Sequence, residues 1–366
     1  GDTLDGKVAF KLYDTFGFPL DLTADILKDR DISVDFEGFN IQMTVQKKIA
    51  RASWKGSGDK KIDDYWLNIL NLIPPTKFMG YSNLELSGIV LSIVFNSSQV
   101  NEISEKNDCE IIFNQTPFYA ESGGQESDHG IIKTKDFEAI VKGCWKTNNG
   151  IFVHKIFVKK GKIKLGDKIN MYVDKEIRTN LSANHSSTHI LHQVLREELG
   201  PHVLQKGSLV ASDRLRFDFS HSGSINETQL LDIEEKINNK IRDNSSVSIR
   251  NLKLEDAKNE GALALFGEKY GAEVRVVSMG GENNKSKSRS YWSIELCGGT
   301  HVSRTGEIGF LKILNESAIS SGIRRIEALT GKVALNFMSS KSKSLNEVSE
   351  ILKTKPDLVI DRIKNI

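Results

Sequence analysis

The chain has 366 residues, of which 39% are hydrophobic and 27% charged, and its formal net charge is +2. This length is typical of two or three domains, each large enough to bury its own core. No run of about 18 apolar residues occurs, so we expect no membrane partner, and the small net charge confines any nucleic-acid contact to a local basic patch.

The N-terminus and the cysteines favour a cytoplasmic protein. The first stretch, "GDTLDGKVAF", is polar and lacks the basic-then-apolar order of a signal peptide. Cys109, Cys144 and Cys297 are too few and too scattered for a disulfide framework. In a reducing compartment, a cysteine near histidines is more often a metal ligand or a nucleophile than half of a disulfide.

Residues 1–75 are predicted to form a helical segment. In "VDFEGFNIQMTVQKKIARAS", Phe36, Phe39 and Met43 recur at helical spacing, with basic residues on the other side. The loop-like "KGSGDKK" and the proline-containing "IPPTKF" then end the helical part.

Residues 76–180 are predicted to form a small antiparallel β-barrel. Six short runs rich in β-branched residues lie here, separated by Gly, Asn and Asp turns. They are "LSGIVLSIVFN", "CEIIFNQ", "HGIIKT", "EAIVKGCW", "GIFVHKIFVKKG" and "DKINMYV". Evenly spaced short strands of this kind favour a barrel.

Residues 181–332 mix helices and strands. A helix with a stop at Gly200 is followed by two strands in "GSLVASDRLRFDFSH" and by an amphipathic helix that Asn226 caps. The strands "AEVRVVSM", "SYWSIELC" and "EIGFLKIL" follow, with a surface hairpin predicted at "GGENNKSKSRS". The helix-prone tail, 333–366, is expected to begin a linker to a further C-terminal domain. The predicted fold class is therefore α+β.

Two short segments, "NHSSTH" and "CGGTH", each place potential metal ligands four positions apart. His185 and His189 lie one turn apart on the same helix face. His301 is separated from Cys297 by a Gly-Gly turn that lets the chain fold back sharply. Three imidazoles and one thiolate suit a tetrahedral Zn²⁺ better than Mg²⁺ or Ca²⁺. We therefore predict one zinc site assembled from both segments.

Alternatives to this ligand set remain open. His192 shares the helix face and could replace either helical histidine, and a zinc ion with four protein ligands can be purely structural. Polar neighbours favour a reactive site over a structural one. They are Thr188, Gln205, Lys206, Arg214, Arg216 and Asp218. The histidines without a partner at ligand spacing are predicted to be ordinary surface or core residues. They are His129, His154, His202 and His221.

Missing motifs argue against other enzyme classes. No His-Glu-x-x-His occurs, so the helical general base of a metallopeptidase is absent. The "GGQ" at 123–125 lacks the strand-to-helix setting of a nucleotide-binding loop. Ser186 and Ser187 lie in no nucleophile-elbow context.

Six collinear segments resemble alanyl-tRNA synthetase over nearly the whole chain. They are "AFKLYDTFGFPLDLT", "QTPFYAESGGQ", "NHSSTHILHQVLREELGPHVLQKGSLV", "DRLRFDFSH", "CGGTHVSRTGEIG" and "SGIRRIEALTG". The His/Cys block is also similar to free-standing alanyl-tRNA editing proteins and, more distantly, to the editing domain of threonyl-tRNA synthetase. The first segment, which resembles the RNA-recognition region of the synthetase, favours the alanyl enzyme.

The resemblance implies a role for each candidate residue. The implied zinc ligands are His185, His189, Cys297 and His301. Thr188 and Gln205 would orient the ester and the water, with Cys297 as the third catalytic residue. The candidates for substrate or tRNA contact are Gln125, Lys206, Arg216, Asp218 and Arg324. Because Arg324 and Arg325 alternate faces if they lie on a strand, only one of them can point into the site.

The resemblance implies an editing activity, the hydrolysis of Ser-tRNA(Ala) and Gly-tRNA(Ala). An apolar pocket rejects an analogue with one added hydroxyl by only about 100-fold, so a second site must remove the wrong ester. The expected partner is the acceptor stem and 3′ CCA end of tRNA(Ala), with no DNA. The alternatives are a non-catalytic tRNA-binding module with a structural zinc and threonyl-type editing.

The resemblance also implies four parts and an internal fragment. The expected parts are the end of the aminoacylation and tRNA-recognition region (1–75), the barrel (76–180), the zinc-containing editing domain (181–332) and the start of a helical linker (333–366). No class II motif for ATP binding is found in the sequence, so we expect no aminoacylation by this chain. ATP and Mg²⁺ would serve only the full-length ligase.

Overall fold

The computed structural model describes residues 2–16, 20–28, 30, 32–53, 73–264, 271–281 and 291–365. The chain divides into two compact units, one formed by Gly1–Ser57 with Ala318–Gly322 and one by Gly58–Ser317 with Ile323–Ile366. Within the described ranges, no helix is both long enough and apolar enough to cross a membrane.

Three helices form most of the first unit. They are α1 (Gly6–Phe16), α2 (Leu20–Lys28) and α3 (Phe36–Ser53), and two short parallel strands accompany them, β1 (Thr3–Leu4) and β2 (Ser33–Val34). Phe39 is buried, and the rings of Phe10 and Tyr13 meet it edge-on. Phe36, the first residue of α3, is 51% exposed and departs from the predicted apolar stripe. The rest of the predicted helical segment, 54–72, lies outside the described residues.

A closed six-stranded antiparallel barrel opens the second unit, as predicted. Its region contains β3 (Lys77–Phe78), β4 (Glu85–Phe95), β5 (Ser98–Val100), β6 (Glu102–Ser104), β7 (Asp108–Phe113), β8 (Gln115–Thr116), β9 (Gly130–Lys133), β10 (Glu138–Lys146), β11 (Phe152–Lys160), β12 (Lys162–Lys164) and β13 (Lys168–Val173). The order β13-β9-β10-β11-β7-β4 closes because β4 also pairs with β13. Alternate residues fill the interior, among them Ile111, Phe113 and Ile156.

The remaining chain forms a mixed α/β region. It contains α4 (Lys175–Leu199), β14 (Gln205–Val210), β15 (Leu215–Ser220), α5 (Glu227–Arg242), β16 (Val247–Lys253), α6 (Leu254–Asn259), β17 (Glu273–Met279), β18 (Ser293–Leu296), β19 (Leu311–Ser320), β20 (Ile323–Thr330), α7 (Gly331–Ile351) and α8 (Val359–Lys364). Two sheets form, in the orders β14-β15-β20-β19 and β16-β17-β18. Residues 282–290, which include most of the predicted hairpin, lie outside the described residues.

Helix α4 is the central element of this region. Asp174 caps its N-terminus by accepting from the Ile177 amide at 3.0 Å. Apolar residues pack it against β15, β20 and α5, so α4 is buried on most of its surface. They include Ile190, Leu191, Val194, Leu195, Phe217, Ile233 and Ile237. The capping box of Asn226 and Gln229 on α5 confirms the cap predicted there. The four-part domain division predicted from the sequence stays a prediction.

Candidate metal centre

The structure brings the four predicted ligands together. One ligand atom from each of His185, His189, Cys297 and His301 lies within 4.8 Å of the other three. The first two come from α4, and the other two from the loop after β18. Cys297 Sγ lies 3.3 Å from His185 Nε2 and 3.2 Å from His301 Nε2. A helix and a distant loop therefore form one group.

This group fits a tetrahedral metal ion. Ligand atoms that bind zinc at about 2.0 to 2.3 Å must lie roughly 3.3 to 3.8 Å apart, close to the sulfur–nitrogen distances found. The rings of His185 and His189 are stacked with an interplanar angle of 9°, as expected one helical turn apart. Among the described residues, His189 Nε2 is buried without a hydrogen-bond partner. A buried nitrogen of this kind is explained if it binds a metal.

Each histidine is oriented through its other ring nitrogen. Nδ1 of His185 lies 2.7 Å from Gln125 Oε1, and Nδ1 of His189 lies 2.6 Å from Glu295 Oε2. Nδ1 of His301 lies 3.1 Å from the Ser186 hydroxyl oxygen. Gln125 Oε1 and Glu295 Oε2 can only accept hydrogen bonds, so Nδ1 of His185 and of His189 donates to them and Nε2 faces the centre.

Glu295 joins His189 to His192. Its second oxygen lies 2.8 Å from Nδ1 of His192, which places His192 beside the carboxylate and outside the four-ligand group. Burial favours a raised pKa for Glu295, but the two histidines hold that pKa at about 2. Glu295 is therefore a carboxylate that fixes the ring of one candidate ligand.

Cys297 has the chemical state that a metal requires. Burial alone would raise the pKa of the Cys297 thiol, yet the neighbouring imidazoles of His185, His301 and His189 lower it well below its usual value. The thiolate is the form of cysteine that binds metals.

The two glycines of the loop explain how Cys297 and His301 reach the helix. A Cβ on Gly299 would lie 2.0 Å from His185 Cε1, so only glycine permits this approach. The same atom on Gly298 would meet nothing within 4 Å. In the sharp turn predicted from "CGGTH", the second glycine, Gly299, is therefore the one that sterics require.

A cavity of about 290 Å³ lies beside the four ligands. Thr188 and Gln205 line it together with His185, His189 and Cys297. The Thr188 hydroxyl donates to the Asn184 carbonyl at 2.9 Å, which leaves its oxygen as an acceptor. Gln205 Nε2 donates to Ser208 Oγ at 3.2 Å.

Gln125 lies behind His185, fully buried. Its Oε1 accepts from His185 Nδ1 and from the Thr300 amide at 2.9 Å, and its Nε2 donates to Thr300 Oγ1 at 2.9 Å. The contacts therefore favour positioning of His185 over the predicted contact with substrate.

The predicted charged residues lie on the four-stranded sheet. Asp218 forms a two-bond ion pair with Arg325 at 2.7 and 2.8 Å, and Arg216 Nε lies 3.8 Å from the same carboxylate. Arg324 is paired with Glu316 instead, so the two consecutive arginines do have different partners. The described residues that line the 290 Å³ cavity do not include Lys206, Arg216, Asp218 or Arg324.

Sequence reasoning missed several residues that support the site. They are Glu295, Ser186, Tyr81 and Arg275. Glu295 could have been found, because it precedes Cys297 by two positions and residues two apart lie on the same face of a strand. Tyr81 lies more than 200 positions from the loop that it contacts, and no local signal marks it.

Two family models match the chain. The model described as tRNA synthetases class II (A) matches residues 1–177. The model described as Threonyl and Alanyl tRNA synthetase second additional domain matches residues 274–327 and so contains Cys297 and His301. These matches define the class: the chain contains regions related to class II aminoacyl-tRNA synthetases and to their second additional domain.

The alanine–tRNA ligase of Chelativorans sp. (strain BNC1) is 47% identical over 366 residues, which is 100% of this chain. The chain belongs to the alanyl-tRNA synthetase family. It spans 41% of the length of that curated relative.

Proposed function

We propose that this chain hydrolyses the ester of mischarged Ser-tRNA(Ala) and Gly-tRNA(Ala). The observation that carries the proposal is the group of three histidines and a cysteine beside a polar cavity lined by Thr188 and Gln205. The match to the second additional domain supports the same function. The resemblance to alanyl-tRNA synthetase supports tRNA(Ala) as the molecule that carries the ester.

Zinc is the proposed cofactor, held by His185, His189, Cys297 and His301. Bound zinc would supply Lewis-acid chemistry or lower the pKa of a water from about 15.7 to about 7. Four protein ligands would close the shell of such an ion, which is also the arrangement of a structural zinc. This closed shell is the observation that favours the alternative, a non-catalytic tRNA-binding module.

Thr188 supplies recognition of serine in this proposal. Its hydroxyl proton is directed to the Asn184 carbonyl, so its oxygen accepts a hydrogen bond from the seryl hydroxyl or from the attacking water. Alanine lacks that hydroxyl, and a site built around a hydrogen bond discriminates strongly against a substrate that cannot form it. Glycine lacks it as well, so this contact selects serine only, and the glycyl ester would depend on the contact between Thr188 and the attacking water. Gln205 would orient the ester through its carboxamide, and Cys297 would hold the remaining side of the cavity.

The 3′ CCA end and the acceptor stem of tRNA(Ala) are the proposed partner. Single-stranded ends are bound through cationic grooves and stacking surfaces. Lys206, Arg216 and Arg324 remain candidates for phosphate contacts. Because Arg216 and Arg324 already lie near carboxylates, we propose that each adds little. We also propose that the reaction needs neither ATP nor Mg²⁺, which would serve aminoacylation by the full-length ligase.

Deacylation of serine-charged tRNA(Ala) tests the function. We expect Thr188→Val to lower kcat/KM by about 10- to 100-fold, the effect of one hydrogen bond to a polar substrate. Thr179→Val, the same change on the exposed side of α4, should leave the rate unchanged.

A second comparison separates catalysis from passive binding. The double variant Cys297→Ala and Gln205→Ala should abolish hydrolysis while the barrel stays folded. If wild-type protein containing zinc binds tRNA(Ala) but never hydrolyses its seryl ester, the structural-zinc alternative is correct. Preferential deacylation of a mischarged threonine-specific tRNA would instead indicate threonyl-type editing.

A further inference from the structure

We propose that Tyr81 and Arg275 are positioning residues that fix the loop from Cys297 to His301 by binding three successive carbonyl groups. The proposal rests on the proposed function only for its effect on hydrolysis. Its effect on metal affinity does not depend on the proposed function.

Three consecutive carbonyl groups of the loop each accept a hydrogen bond. Arg275 Nη1 donates to the carbonyls of Cys297 at 2.8 Å and Gly299 at 2.9 Å. The Tyr81 hydroxyl donates to the carbonyl between them, that of Gly298, at 2.6 Å. The Arg275 guanidinium lies 4.2 Å from the centre of the Tyr81 ring, so the two donors also support each other.

These donors act where the loop lacks side-chain packing, around Gly298, whereas Thr300 is held by Gln125. β18 ends at Leu296, and the amide of Cys297 makes the last bond to β17, at 3.0 Å to the Arg275 carbonyl. Gly298 is exposed, and a Cβ there would meet open space. Hydrogen bonds to the carbonyls, together with those between Gln125 and Thr300, therefore fix the position of Cys297 Sγ relative to the two imidazoles.

A buried ion pair fixes the backbone next to Tyr81. Arg178 of α4 pairs with Asp128 and donates to the carbonyls of Gly80 at 2.5 Å and Pro117 at 3.0 Å. These bonds fix the backbone next to Tyr81, and the ring of Phe78 meets the Tyr81 ring at 4.9 Å. The loop before β4 is thus attached to α4, which carries the other two ligands.

The phenol of Tyr81 remains a donor at neutral pH. Tyr81 is 52% exposed, and its partial burial raises the pKa of the phenol, which the attraction of Arg275 opposes. The barrel region consequently contributes a side chain that supports the metal-binding loop. In this proposal Tyr81 and Arg275 act through Cys297, and Arg275 also lines the 290 Å³ cavity.

Cobalt binding tests the proposal without using hydrolysis. Tyr81→Phe keeps the ring on Arg275 and removes only the donor, so we expect a roughly tenfold rise in the Co²⁺ Kd and an altered thiolate-to-cobalt absorption band. Arg275→Lys should raise the Kd by up to about 100-fold. Amide hydrogen exchange of residues 298–301 in metal-free protein should accelerate in both variants.

Tyr172→Phe is the matched control, since its ring lies on the barrel under Lys133. It should leave the cobalt Kd, the spectrum and the exchange rates unchanged. The proposal is overturned if Tyr81→Phe and Arg275→Lys match wild type in all three measurements while both remain folded by circular dichroism. If wild type binds cobalt but does not deacylate tRNA, the proposed function fails and the cobalt result still decides the positioning role.

Discussion

Two adjacent glycines in the loop from Cys297 to His301 have opposite steric surroundings. The Cβ of an alanine at Gly299 would lie 2.0 and 2.2 Å from ring atoms of His185 and 2.9 Å from Gln125 Oε1. These distances are far below van der Waals contact, so the histidine or the loop must move. At Gly298 the same atom enters open space.

We therefore expect Gly299→Ala to lower zinc affinity and seryl-tRNA hydrolysis by at least tenfold, whereas Gly298→Ala changes neither by more than about twofold. Displacement of one oriented ligand typically costs 10- to 100-fold in affinity. Zinc stoichiometry after dialysis against a weak chelator measures the difference. Equal zinc retention by the two variants would contradict the geometry of the loop.

The sequence predicts ligands better than their supports. His185 and His189 could be identified because a helix places residues four apart on one face. Gln125 was placed in the site by its loop, but its hydrogen bond to His185 depends on a contact across 60 positions. No local pattern encodes such a contact, and so its role could not be read from spacing.

At the scale of a single strand, β11 carries a buried histidine. His154 Nδ1 lies 3.1 Å from the Ile111 carbonyl and Nε2 lies 2.7 Å from Thr116 Oγ1, between the rings of Phe113 and Phe118. Burial lowers the pKa of His154 from 6.5 to about 4, although the hydrogen bond to Ile111 opposes the shift. His154 is thus a neutral core residue, one of the two outcomes that the sequence allowed.

This pKa shift predicts a loss of stability in acid. The folded barrel excludes the proton that the unfolded chain binds, so the contribution of His154 is complete above about pH 6.5 and is lost as the pH falls to about 4. The loss amounts to about 3 kcal/mol. Urea unfolding at several pH values should show it in wild type, and His154→Gln, which cannot titrate, should show a smaller pH dependence over the same interval. Identical pH dependence in both proteins would refute the assignment.

Regular elements were predictable wherever their pattern was local. The barrel strands followed from short runs of β-branched residues separated by turns, and the α5 cap followed from Asn226. Closure of the barrel by β13 on β4 joins residues about 80 positions apart and depends on the whole set of strands. The pairing of Asp218 with Arg325 likewise depends on the register between β15 and β20, which the sequence alone did not supply.

At the scale of the whole second unit, the barrel and the mixed region have separate hydrophobic cores. The barrel core surrounds Ile111 and Ile156, and the core around α4 surrounds Leu191 and Phe217. The four candidate metal ligands all belong to the mixed region, where α4 and the loop after β18 meet. A metal ion here would stabilise the core around α4 directly and the barrel core only through contacts that the two share.

Metal removal should therefore act unevenly on the two cores. A ligand present at 1,000 times its Kd stabilises the folded state by about 4 kcal/mol, so chelation should lower the Tm of the mixed region by roughly 10 °C. Hydrogen exchange with and without a chelator should accelerate in α4 and in residues 297–301, and change little in β7 and β11. Restoring zinc should reverse the effect. Uniform acceleration across both cores would mean that they unfold as one cooperative unit, and that the metal stabilises the barrel as strongly as the site it occupies.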